Sequence, residues 1–273
     1  MGRIFSINKL LTKVLLSYFD IIKLAIFARG KLGIPILKWS SYSVIVRIFN
    51  TVTMFLPLKL LLVLSGAASV GFLDEIKDTI GVKFYVFSVV CALFFLYIFN
   101  VLFNRYVEKG LARDISSIHN LKGKFFPLGK RAGHKALTVF SDISVKVLSD
   151  FLFIIILSLP MLMISIHYFI FYFSMFMLFL LLVEYLVFTN NRYNFLDKMS
   201  LTNATIIGFI SVLIYYFCFI FIIVLQMSGK VTFFEAIVLL ILSKVTNSSF
   251  KSVVGKTYIL RSKFGHIMSC GIS

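Results

Sequence analysis

The sequence predicts an all-α, polytopic membrane protein: six transmembrane helices with cytoplasmic extensions, preceded by an amphipathic helix lying in the membrane interface. Three observations carry this reading. Of 273 residues, 60% are hydrophobic and only 14% charged, where soluble domains run nearer ~45–50% apolar and ~25% charged. Mean hydropathy is +0.98. The apolar residues fall in runs of the length a helix needs to cross the hydrocarbon core, about 20 residues. The positive charge, formally +17, is concentrated in alternate connections between those runs, as the positive-inside rule demands of cytoplasmic loops. A chain basic for that reason needs no nucleic-acid partner, and none is expected; the bilayer itself is the first partner.

The order of elements follows from the same pattern. Residues 1–34 hold the stretch NKLLTKVLLSYFDIIK. At about 100° per residue, Lys9, Thr12, Lys13, Ser17, Asp20 and Lys23 share one arc, opposite Leu11, Val14, Leu15, Tyr18, Ile21 and Ile22, the pattern of an interfacial helix. Reading it as a further span would place charges mid-bilayer at a cost of several kcal/mol. Gly33 and Pro35 break that helix, and Trp39 with Tyr42 suits the aromatic belt before the first span.

The six-span domain covers 35–265 and a tail covers 266–273. Spans are expected at about 44–65, 84–104, 151–167, 169–189, 204–227 and 231–245. The third and fourth share one uninterrupted apolar stretch, Phe151 to Thr189, twice the spanning length, so a turn is expected at its polar pause, His167 and Tyr168. Basic residues crowd the N-terminal segment and the loop 105–150, recur at Arg192 and Lys198, and return after the sixth span. Both termini are therefore expected on the cytoplasmic side, with a bacterial inner membrane as the setting.

No catalytic constellation stands out. The sequence has no H-E-x-x-H, C-x-x-C or G-x-S-x-G, and His119, His134, His167 and His266 are scattered. Cys91, Cys218 and Cys270 form neither a disulfide framework nor a metal motif. Gly255-Lys256-Thr257 resembles the end of a phosphate-binding loop, but the glycine required five positions earlier is Phe250. No enzyme activity, metal or cofactor is expected of this chain. Of the ionisable residues within the expected spans, four are singled out: Lys59, Glu184, Glu235 and Lys244. The last three lie near span ends, where snorkelling would satisfy them. Lys59 is deeper and is the candidate cavity-lining residue.

The loop between the second and third spans is the longest polar connection. NRYVEKGLARDISSIHNL continues one helix outward, KALTVFSDISVKVLSD leads into the next, and KGKFFPLGKRAG breaks the two. FFPLGKRAGHKALTVFSD and MSGKVTFFEAIVLLILSKVTNSSFKSVVGK, with this topology, resemble the transmembrane domain of exporter-type ABC transporters over most of 35–265. In that family short coupling elements at the tips of prolonged helices dock on the ATPase. The resemblance implies a coupling loop at Phe125, Phe126, Pro127, Leu128, Lys130 and Arg131, and a second, shortened docking loop at Arg192, Tyr193 and Phe195. It implies a separate ABC ATPase subunit, no fused ATPase domain being expected after the sixth span, and a homo- or hetero-dimer of membrane domains. A non-transporting accessory subunit of a larger membrane complex is the alternative that the short fourth-to-fifth connection keeps open.

Overall fold

The computed structural model describes residues 35–64, 81–117, 130–188 and 202–272. Among them all regular structure is helical: α1 (Ile36–Leu64), α2 (Val82–Ser117), α3 (Lys130–Ile164), α4 (Ile166–Val183), α5 (Asn203–Met227) and α6 (Phe233–Ile272). One π-helical turn, Glu184–Phe188, prolongs α4. Stretches this rich in Val, Ile and Phe favour strands in water, but in hydrocarbon every backbone group must bond within its own segment, and helix is the outcome.

Five of these helices contain segments long and apolar enough to cross a membrane: Lys83–Asp114, Thr138–Ile164, Ile166–Val187, Asn203–Met227 and Phe233–Leu260. The chain is an integral membrane protein. The expected first span, 44–65, falls on α1, which is helical but is not among those five. The expected interfacial helix in 1–34 lies outside the described residues.

Lengths divide the helices into two kinds. At about 1.5 Å per residue, α2, α3 and α6 run roughly 50–60 Å, far beyond the ~30 Å core. They hold 36, 35 and 40 residues. By contrast α5, with 25 residues, fits the bilayer without a long extension.

The junction between α3 and α4 is a single residue. Ser165 takes an extended backbone (φ −155°) and its hydroxyl accepts the Tyr168 N–H, capping α4. The break thus precedes the expected turn at His167 and Tyr168: His167 is an exposed residue inside α4, and Tyr168 is fully buried. A hydroxyl able to cap a helix decides the position, rather than the most polar side chain nearby.

The α5–α6 connection is equally tight. Lys230 N–H donates to Leu225 C=O (3.1 Å) and Gly229 N–H to Gln226 C=O (3.0 Å), with Gly229 at φ +69°, the Schellman ending that favours glycine. Glu235, expected to snorkel at an outer end, instead accepts the Thr232 N–H (2.8 Å) while its own N–H donates to Thr232 Oγ1 (3.3 Å). That reciprocal pair is the capping box that starts α6.

Side-chain pairs set the directions. Ser40 meets Val145 and Arg47 meets Asp150, so α1 and α3 run parallel. Trp39 meets Asp114 and Asn50 meets Asn100, so α1 and α2 are antiparallel. Tyr168 meets Ser243 while Phe176 stacks on Phe250, making α4 and α6 parallel. Asn203 meets Tyr258 and Asn247 meets the Ser211 carbonyl, so α5 and α6 are antiparallel. The main core joins α1, α3, α4, α5 and α6 around Met161, Tyr168, Leu239, Val254 and Leu260.

Helix α2 is peripheral, and none of its spanning window is buried in the protein. A second cluster (Ile36, Trp39, Val46, Val107, Leu111, Val145, Leu148) holds it to α1 and α3. Trp39, expected in the aromatic belt, is buried here instead. A Cβ at Gly110 would come within 2.0 Å of its ring, so only glycine lets α2 lie this close.

Candidate functional site

The polar centre of the bundle is Asp150 on α3, a carboxylate with none of its side chain exposed. Three side chains from two other helices converge on it. Arg47 of α1 donates through Nη1 to Oδ1. Ser252 Oγ donates to Oδ2 at 2.7 Å and Lys256 Nζ to Oδ2 at 2.9 Å. Ser252 and Lys256 are four residues apart on α6, so one helix face presents both. The Arg47 guanidinium also lies 5.8 Å from the Phe153 ring centroid, one turn along α3 from Asp150, in cation–π range.

The electrostatics explain why this arrangement holds. An isolated carboxylate buried among helices costs several kcal/mol in lost hydration, so burial requires compensation. Two cations and a hydroxyl supply it, through charge-assisted bonds that are stronger than neutral ones. The balance is uneven: two positive charges face one negative. Arg47 keeps 28% and Lys256 25% of the side chain exposed.

Small hydroxyl side chains are buried along the same helices. Ser40 Oγ bonds to the Ile36 carbonyl (2.8 Å) and across to the Val145 carbonyl (3.2 Å). Ser141, Ser144 and Ser149 on α3 and Thr257 on α6 are buried, and their hydroxyls have no hydrogen-bond partner among the described residues. Residues of this size allow helices to approach closely in a membrane.

A second set of polar contacts sits among α4, α5 and α6. Tyr168 Oη and Ser243 Oγ bond to each other, and Asn247 Nδ2 donates to the Ser211 carbonyl at 2.9 Å. Beside Asn247, the side chains Tyr172, Phe176, Phe179, Ile214 and Phe250 line a small cleft of about 10 Å³, room for about one water molecule. Glu184, expected to snorkel from the end of its span, is only 3% exposed and opens the π-helical turn. Lys244, in contrast, is exposed.

Most of the residues singled out from the sequence lie outside the described residues. Phe125, Phe126, Pro127 and Leu128 lie outside them, as do Arg192, Tyr193 and Phe195. Lys130 and Arg131 open α3, and Lys59 lies on α1. No group of His, Cys, Asp or Glu able to hold a metal ion occurs among the described residues.

Compared with protein-family models, curated proteins and solved structures, the chain gives no match. Its functional reading therefore rests on its own geometry. Sequence reasoning passed over Arg47, Asp150 and Lys256. The signal was present: Asp150 is the last acid before the long apolar stretch, and Arg47 is a cation inside the first expected span. An acid and a base at the rims of two spans, each costly alone, are candidates for each other.

Proposed function

We propose that this chain is the membrane-spanning subunit of an ABC-type exporter, driven by a separate ATPase that docks on the cytoplasmic tips of α2 and α3. The observation that carries the reading is the length of α2 and α3, each well beyond a bilayer, flanking the basic, Phe-containing loop. Both termini are cytoplasmic in this reading, the membrane is a bacterial inner membrane, and two membrane domains pair to enclose the path.

Asp150 gives such a docking event somewhere to go. From Lys130 at the start of α3 to Asp150 is about 30 Å of helix. A push on that end moves the carboxylate, and with it Arg47 on α1 and Lys256 on α6. The three helices then shift as one body while α4 and α5, without comparable extensions, act as the reference. Chemistry is left to the ATPase; this chain's residues transmit displacement.

The test is copurification in mild detergent followed by ATPase assay. An ATPase retained by the wild-type chain and released by Phe125→Ser with Phe126→Ser supports the proposal. Wild-type protein that retains no ATPase sinks it. The second reading, a non-transporting accessory subunit, is favoured by the short connection between α4 and α5 in the sequence. Partners without nucleotide-binding activity in the same preparation would support that reading.

A further inference from the structure

The charge imbalance at Asp150 points beyond helix coupling, and independently of any exporter role. Among the described residues two cations share one carboxylate, which leaves one positive charge over. Arg47 donates to Asp150 through Nη1 alone, and no contact between the described residues uses its other N–H groups. Lys256 spends one of three donors on Oδ2. Among the described residues Lys146 pairs with Asp142 at 2.8 Å, and the opposite charges of that pair act on Lys256 in opposite directions.

The surroundings say what anion fits. Arg47 and Lys256 hold the two oxygens of one carboxylate, so their nitrogens are no more than roughly 7 Å apart by the length of that bridge. A tetrahedral oxyanion spans such a gap. Ile45, Val52 and Met54, within seven residues of Arg47 on α1, and Ile155 and Ile156, within six of Asp150 on α3, are large exposed apolar side chains. Asp150 itself immediately precedes the apolar run of α3, where a spanning stretch begins by sequence. Arg47 and Lys256 keep 28% and 25% of their side chains exposed, so a ligand can meet both from outside the bundle. Arginine, with its fork of donors, matches phosphate.

We infer that Arg47 and Lys256 form a binding site for a phosphate group, supplied by an anionic phospholipid headgroup or by free phosphate. The bound phosphate neutralises the surplus charge, and Asp150 holds the two cations at the spacing it needs. Occupancy ties α1 and α6 together a second time, from the outside.

The probe is phosphatidylglycerol added to the full chain in dodecyl maltoside, with phosphatidylcholine and inorganic phosphate as parallel arms. Retained lipid is read by native mass spectrometry and stabilisation by the thermal midpoint. Wild type and Arg105→Gln, which removes an exposed cation on α2, are expected to retain and be stabilised by phosphatidylglycerol. Arg47→Gln and Lys256→Gln are expected to lose affinity about ten-fold each, the weight of one charge-assisted contact. Stabilisation by inorganic phosphate with the same losses supports the site and assigns it to soluble phosphate. Equal response of wild type and both variants to every arm overturns it. If Arg47→Gln does not fold, Lys256→Gln decides by the same criterion.

Discussion

Replacing Asp150 by Asn changes no volume and removes one charge, which makes it the sharpest probe of the helix junction. The amide still accepts one hydrogen bond, but Arg47 and Lys256 are left as neighbouring cations. At roughly 6 Å and an effective dielectric of about 20 they repel by about 3 kcal/mol. Breaking a buried ion pair from one side costs about 3–5 kcal/mol in general. The exposed quarter of each cation puts the expectation at the lower end, about 3 kcal/mol. For a chain of this size that corresponds to a fall of very roughly 6–12 °C in the thermal midpoint. The assay is thermal or denaturant unfolding in one detergent and at fixed lipid content. The double change Asp150→Asn with Lys256→Met should be more stable than Asp150→Asn alone, since it removes the repulsion. A single variant within about 0.5 kcal/mol of wild type, or strict additivity in the double-mutant cycle, would refute the reasoning.

Two further outcomes follow from the packing. Gly110→Ala is expected to destabilise the α1–α2 contact by about 1–3 kcal/mol, as overpacking does, because the new methyl meets the Trp39 ring; adding Trp39→Leu should recover part of the loss, read as the unfolding midpoint. Tyr168→Phe removes only the hydroxyl, which meets Ser243 and Cys218, and should cost about 0.6 kcal/mol per interhelical bond, the average in membranes, whereas Tyr168→Ala, emptying a fully buried site, should cost about 3–5 kcal/mol. A Phe variant as damaged as the Ala variant would show that the hydroxyl, not the ring, dominates there.

Much of the architecture was legible because the bilayer leaves few choices. Each apolar run had to become helix: six spans were expected, and five of the described helices are long and apolar enough to cross a membrane. The continuation of α2 and α3 past the membrane was also legible, since NRYVEKGLARDISS and KALTVFSDISVKV carry no helix-breaking proline. What escaped were features that depend on packing partners far along the chain. Ser165 rather than His167 ends α3 because capping is a property of a hydroxyl in a particular backbone geometry. Glu184 is buried because the π turn and the neighbouring helices enclose it, which no hydropathy window registers. Trp39 is buried because residue 110 happens to be glycine. The ion group at Asp150 joins partners 103 and 106 residues away, and two of its three cross-helix contacts come from a helix whose polar end looked like a solvated tail.

Those separations have a consequence for how the protein is made. Arg47 and Asp150 are both in place once α3 has emerged, so the carboxylate first meets a single cation and forms a neutral pair. Lys256 arrives 106 residues later, an interval of very roughly 5–20 seconds at ordinary elongation rates. During that interval the insertion machinery handles α1 to α3 as a charge-balanced unit, easier to release sideways into lipid than one carrying a surplus charge. Helix α6 then joins the bundle and brings the second positive charge with it. Assembly order is thereby written into which partner of Asp150 comes first in the chain.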